Sequence, residues 1–351
     1  MKRIVYADYL RIIGIIGVIG VHLSGDYISK TILFSPIWYQ GLIYSSLTRS
    51  GALLFMMVSG LLLLDRPQSI DKIPHRIERV LIPFLFWLLI IFLKLTFIDK
   101  IFVVNTVSDF ITQFINCLLN PTIISEEFWY IHMIIGFYLM LPILYKWIKN
   151  TDKREIKYFL IVWFIILTLS YFNVEFLLIK YVNLFTGHLG FFILGYYLHK
   201  EKNRFTTSIP LGVFLFVLGT LFTFLSIYIP TLLNNELTLT YLGIQNLTPG
   251  FVFKAIGMFL IIKNINYEKL FKDKNKKVNT FIMRFAEITY GLYLVHLVIP
   301  IRLIYNVNIT PFINVPVLTI IIIIASSAIL LIMNRIPVLQ RFTGMKVSGK
   351  K

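Results

Sequence analysis

The chain has 351 residues, of which 57% are hydrophobic and 16% aromatic, and its mean hydropathy is +0.78. A soluble protein of this length cannot hide that much apolar surface, so the composition implies an all-α polytopic membrane protein. The formal charge of +17 does not call for nucleic acid as a partner, because polytopic proteins gather Lys and Arg in their cytoplasmic loops.

The first apolar segment, Tyr6 to Asp26, is long enough to cross a bilayer yet carries Asp8, Arg11 and His22. Ionisable groups inside a span are costly, so each is a functional candidate. Arg11 and His22 are eleven residues apart, roughly 20° from alignment on one helix face and ~16 Å apart along the axis. Asp8, one turn before Arg11, is placed to pair with it. Gly14, Gly17 and Gly20 turn to the other side, where a neighbouring helix can approach closely. Arg11 near the helix start could also simply reach the interface with its long side chain. Met1-Lys2-Arg3 leads straight into this segment with no small-residue cleavage site, so we expect it to be retained.

Ten spans are predicted, at about 7–27, 47–64, 80–98, 128–147, 158–174, 178–198, 208–230, 248–265, 285–305 and 313–333. With both termini cytoplasmic, most of the 34 basic residues fall on the inner side, including Arg66, Lys72, Lys153, Arg154, Lys200, Lys202, Lys274 and the tail Lys350–Lys351. The outer connections are poor in them, and Thr231–Asn246 has none. Ile101–Leu119 carries Asn105, Asp109, Gln113 and Asn116. It is expected to be an outer amphipathic or re-entrant helix, because a span there would turn the later basic loops outward. Residues 1–334 read as one transmembrane domain and 335–351 as a short basic cytoplasmic tail.

Polar groups recur along the chain. Ser59-Gly60 in the second span permits close helix contact. The following connection, His75-Arg76-Ile77-Glu78-Arg79 before Pro83, sets two arginines one turn apart at the inner side. They are able to clamp phosphates, or they serve only as topogenic charges. On the outer side, Glu126, Glu127, Trp129 and His132 open the fourth span; the aromatics suit an interfacial belt, and the acid and imidazole suit hydroxyl binding. His188 lies in the sixth span. His296 lies in the ninth, beside Tyr290 and Tyr293, where a bond to a backbone carbonyl would account for a buried neutral imidazole. Lys94, Lys180, Lys254 and Arg302 are expected to reach toward the outer interface. The single cysteine, Cys117, excludes an internal disulfide and a cysteine zinc cluster, and no metal is expected. No fixed-period repeat, Gly-rich phosphate loop, HExxH or GxSxG motif occurs.

In order along the chain, these motifs resemble the acyltransferase-3 family of integral membrane acyltransferases. The first-span signature of Arg, ten residues, then His matches Arg11 and His22, preceded by Asp8. FMMVSG, Phe55 to Gly60, resembles the second-span FFxxSG motif; Arg76 and Arg79 match RxxR; FWYIHMIIGFYLMLPIL resembles the tryptophan-containing span; and TYGLYLVH resembles SYGIYLIH, with Thr289 in place of Ser. Many members continue into an extracytoplasmic SGNH-type hydrolase domain, so this chain resembles the stand-alone type.

The resemblance implies a multi-pass protein of the cell membrane that moves an acyl group, commonly acetyl, from acyl-CoA to a hydroxyl of a surface or lipid-linked saccharide. Such acceptors include exopolysaccharide and cell-wall glycans. It implies His22 as general base, with Arg11 and Asp8 beside it, and Arg76, Arg79 and Arg11 on the CoA phosphates. The acceptor is expected near Glu127, Trp129, His132, Tyr293 and His296. Transfer is either direct or through a separate extracytoplasmic transferase. Two other readings share the same polar spans: a transporter of acyl groups or polysaccharide, and an MBOAT-type acyltransferase with His296 as the catalytic residue.

Overall fold

The computed structural model describes residues 3–125, 128–172, 187–237, 247–267, 276–299, 306 and 308–345. These residues are helical, with no strand among them. The helices are α1 (Val5–Lys30), α2 (Pro36–Thr48), α3 (Gly51–Leu63), α4 (Ile73–Leu93), α5 (Val107–Leu119), α6 (Trp129–Asn150), α7 (Lys153–Tyr171), α8 (Leu189–Lys200), α9 (Ile209–Asn234), α10 (Pro249–Lys263), α11 (Lys276–Val295) and α12 (Pro311–Met333). Six helical stretches among the described residues are long and apolar enough to cross a membrane: Val5–Lys30, Pro36–Leu63, Ile70–Ile98, Trp129–Asn150, Ile209–Asn234 and Pro311–Met333.

Local chemistry explains where several helices begin. Ser35, Ser208 and Thr248 each accept a backbone N–H of the first turn, from Trp38, Leu211 and Phe251, and each is followed by Pro at one of the first two helical positions. A Pro there forfeits no helical bond, because that N–H has no partner in any helix. Asp152 caps α7 through the N–H groups of Arg154 and Glu155.

The chain divides into two compact units. The first comprises Met1–Gln68, Leu141–Ala286 and Asn306–Thr319. Within it α1 packs along α2 and α3, α3 packs against α8, and α9 pairs with α10. The α3–α8 contact is made by backbone: a Cβ on Gly60 would lie 1.7 Å from the Phe192 carbonyl oxygen, so only glycine fits there. Gly60 of the FMMVSG stretch therefore serves packing, and Ser59 Oγ bonds back to the Phe55 carbonyl at 2.8 Å. The C-terminal end of α1 is tied by Tyr27, which is fully buried; its hydroxyl donates to Ile309 O at 3.0 Å and accepts from Asn314 Nδ2 at 2.6 Å.

The second unit comprises Ser69–Met140, Glu287–Tyr305 and Ile320–Lys351. Its core sets Phe84 against Phe128 and Phe92 against Phe102, Phe110 and Phe114. Trp87 Nε1 donates to Phe342 O at 3.0 Å, and Tyr290 donates to Val80 O at 2.6 Å. In Ile101–Leu119, Thr106 and Asp109 form a capping box at the start of α5. Thr106 Oγ1 accepts from Asp109 N at 3.1 Å, Asp109 Oδ2 accepts from Thr106 N at 2.9 Å, and Gln113 donates to Val103 O at 2.6 Å. At 13 residues, α5 is ~20 Å long, short of the ~30 Å hydrocarbon core.

Three readings of the sequence change. The expected second span, 47–64, forms only part of a longer helical stretch that begins at Pro36 and is interrupted at Arg49–Ser50. The expected third span begins at Ile73, so Arg76 and Arg79 lie on the first turns of α4 rather than in a loop. Lys254 does not reach for an interface; it is fully buried. Lys94 is held by Asp99 at 2.9 Å, while Lys180 and Arg302 lie outside the described residues. Helices also run through part of each of the expected spans 158–174, 178–198, 248–265 and 285–305, the last ending at Val295.

Candidate active site

In the first unit, the α1 helix is unbroken from Val5 to Lys30, so the helical spacing between Arg11 and His22 applies over its whole length. Both side chains are half-buried, whereas Asp8 is buried at 4% exposure. The expected pairing of Asp8 with Arg11 is present, and Arg3 joins it as a second partner. Arg3 is the closer of the two; its Nε stands 2.6 Å from Asp8 Oδ2, and Arg11 reaches Oδ1 only at 3.7 Å. Arg3 also donates to the Met283 carbonyl at 2.9 Å. Asp8 is thus an anchor shared between two arginines.

A second polar group lies on the same unit. Tyr6 hydrogen-bonds His199 Nδ1 through its hydroxyl, and Tyr9 lies against Tyr267 with ring centroids 4.9 Å apart. Desolvation holds the half-buried His199 imidazole below its ordinary range, against the pull of Asp65. Asp65 is ion-paired to Lys200. His188 lies at the N-terminal boundary of α8.

In the second unit, Arg76 and Arg79 occupy one face of α4 at i,i+3 spacing, Arg76 half-buried and Arg79 exposed. His75 and Glu78 flank them as an exposed pair at 3.6 Å. Trp129 is half-buried, and His132 is exposed with its ring edge-on to Phe84 at 6.3 Å. Tyr293 and His296 are buried, and Tyr130 packs on Tyr293 at 5.5 Å. His296 Nδ1 donates to the Tyr293 carbonyl at 2.8 Å. That bond fixes the tautomer and leaves Nε2 as the basic atom. Glu126 and Glu127 lie outside the described residues.

Among the described residues, no group of three or more His, Cys, Asp or Glu is placed to hold a metal. Sequence reasoning missed Arg3 as the partner of Asp8, and Arg49 and Lys254 as charged groups inside the helical body. The signal for Arg49 was local: Ser35-Pro36 is a helix start, and it puts Arg49 deep within a helical stretch rather than at its edge.

Neither a search of curated proteins nor one of solved structures returned a significant match. The family profile described as an acyltransferase domain (Acyl_transf_3) matches residues 4–333. With nearly the whole chain covered, this helical membrane protein belongs to the acyltransferase-3 family and is an acyltransferase.

Proposed function

We propose that the protein transfers an acyl group, acetyl in the first instance, from acyl-CoA to a hydroxyl of a cell-surface or lipid-linked saccharide, with His22 as general base. The observation that carries this reading is the placement of Arg11 and His22 as half-buried groups on one unbroken helix of a family acyltransferase.

A neutral imidazole is suited to take a proton from a hydroxyl. His22 removes the proton from the acceptor hydroxyl as that oxygen attacks the thioester carbonyl. The carbon–sulfur bond then breaks, and the imidazolium returns its proton to the departing CoA thiolate. Atoms and charge balance without a metal or a redox partner. Arg11, restrained by Asp8, supplies positive charge along the donor's path. Arg76 and Arg79 bind CoA phosphates; one helix face with two guanidiniums one turn apart suits a bidentate grip. Trp129, His132 and Glu127 receive the saccharide. Tyr293 and His296, being buried, support that wall rather than touch the acceptor.

Ten spans with both termini cytoplasmic, in the cell membrane, complete the reading; its support is the inward bias of basic residues. The acceptor is acylated directly or through a separate extracytoplasmic transferase.

The test is the purified protein in detergent with acetyl-CoA and a thiol reagent. Release of free CoA that rises with added saccharide, and vanishes in His22→Ala, is the expected result. Movement of saccharide or acyl groups across proteoliposomes without CoA release would establish a transporter instead.

A further inference from the structure

The connection from α1 to α2 carries an unusual backbone. Phe34 lies at φ 61°, in the left-handed region that bulky side chains seldom adopt. Strain of this kind clusters where a fold holds a side chain in place for a ligand. What it holds here is an aromatic group within the first unit. The Phe34 ring meets Trp38 edge-on at 5.4 Å and Tyr228 of α9 at 6.4 Å. The Tyr39 ring is 6.1 Å from that of Tyr228, and the two hydroxyls hydrogen-bond each other. Phe34, Tyr39 and Tyr228 are half-buried, so part of each side chain stays open.

Trp38 sits beneath them, fully buried with Ile28, Leu42 and Ile227. Its indole N–H has no hydrogen-bond partner among the described residues. A tryptophan of an interfacial belt keeps its N–H toward water or headgroups, and this one does not. A buried donor is costly until an acceptor reaches it. The chemistry of the cluster narrows what brings that acceptor. Every residue in it is neutral, so a phosphate or carboxylate finds no counter-charge. A lipid chain covers the rings but supplies no acceptor. A sugar has both parts: C–H faces that lie flat on aromatic rings, and hydroxyls that accept from the indole and pair with phenols. Two phenols joined by one hydrogen bond keep an O–H and several lone pairs for that purpose.

We propose that Phe34, Tyr39 and Tyr228, with Trp38 beneath them, form a binding platform for a saccharide, engaging a sugar unit of the acceptor beside the one that is acylated. The platform rests on the reading above, which makes the acceptor a saccharide and puts the C-terminal end of α1 outside. A sugar hydroxyl entering beside Phe34 gives the Trp38 N–H its acceptor. Ile28 lies six residues past His22 on the unbroken α1, ~9 Å further along the axis and about 120° around it. The platform is therefore displaced from the base, and its residues position the acceptor without touching the reacting atoms.

The experiment uses the purified full chain in detergent and the surface glycan extracted from the producing cells. Titrated without acetyl-CoA, the glycan should raise Tm saturably. Tyr39→Ala and Tyr228→Ala should weaken its apparent affinity about tenfold, the upper range for one aromatic contact. Tyr39→Phe, which keeps the ring, should lose less. With acetyl-CoA present, the same variants should raise KM for the glycan far more than they lower kcat, and leave KM for acetyl-CoA unchanged. Phosphatidylcholine in mixed micelles serves as the comparison. No saturable rise with the glycan, a rise unchanged in the variants, or an equal response to the lipid would overturn the platform and leave the cluster as an interfacial belt. Should an alanine variant not fold, Tyr39→Phe and Tyr228→Phe carry the comparison through the hydroxyls. Glycan binding without CoA release would overturn the transferase and leave the platform standing. CoA release with a glycan KM that no variant moves would do the reverse.

Discussion

Arg3 Nε meets Asp8 Oδ2 at 2.6 Å, while Arg11, three residues beyond the carboxylate, approaches its other oxygen only to 3.7 Å. The N-terminal end of α1 is therefore secured by Arg3, which continues to Met283 O. Asp8→Asn keeps the shape but removes the charge. We expect a loss of roughly 1.5–3 kcal/mol, the usual range for a hydrogen bond to a charged group. The readout is a lower Tm in detergent, with acyl transfer reduced less than in His22→Ala. An Asp8→Asn protein with unchanged Tm would remove the anchoring role.

His22→Ala is expected to insert and fold normally, because the side chain is only half-buried and the helix tolerates alanine well. Acyl transfer should fall by about 10²–10⁴, the usual contribution of a general base. Acceptor acylation measured by mass spectrometry checks this, and near-normal product would take His22 out of the mechanism.

Arg76→Lys and Arg79→Lys keep the charge and lose the guanidinium fork. Each should weaken CoA binding by about tenfold to a hundredfold. The half-buried Arg76 should show the larger effect, because the exposed Arg79 competes with water. Titration of CoA onto the purified variants gives the answer; equal affinity for both variants and the unmodified protein would reduce the pair to topogenic charges.

The N-terminus of α5 should respond to acid. The Asp109 carboxyl is held below its ordinary range, first by the Thr106 hydroxyl and then by the Thr106 and Asn105 backbone N–H groups, with desolvation opposing. A depressed carboxylate contributes stability above the unfolded value of ~3.9 and loses it as pH falls through the folded value. Hydrogen exchange at the start of α5, corrected for intrinsic rates, should therefore quicken from pH 5 toward pH 3. Asp109→Asn should flatten that dependence. Persistence of the full dependence in the variant would assign it to another group.

Topology is open to a direct check. Asn235 ends α9 in a left-handed conformation at φ 51°, a position that tolerates an inserted reporter better than the helix does. A reporter there should be outside, and one at Lys274 inside. The reverse pattern would turn the whole chain over.

The sequence by itself determined that the chain is a helical membrane protein, where helices α9 and α10 begin, and that Arg11 and His22 share a face of α1. These are local properties: apolar length, capping residues and a period of 3.6 act within a few turns, so they can be read without knowing the neighbours. The caps on α5 belong to the same class, since Thr106 and Asp109 are three residues apart. Only the tertiary structure decided that Lys254 is buried rather than reaching for an interface. Its partner Ser46 is 208 positions away in the chain, and no local pattern records such a contact. It also decided that Asp8 is shared by Arg3 and Arg11, because which cations reach a carboxylate depends on how the chain before the helix folds back. The interruption at Arg49–Ser50 is of the same kind. Apolar length alone predicts an uninterrupted span at 47–64, whereas close approach of α1, α2 and α3 through Gly14, Gly17 and Gly51 sets where the backbone is free to depart from the helix.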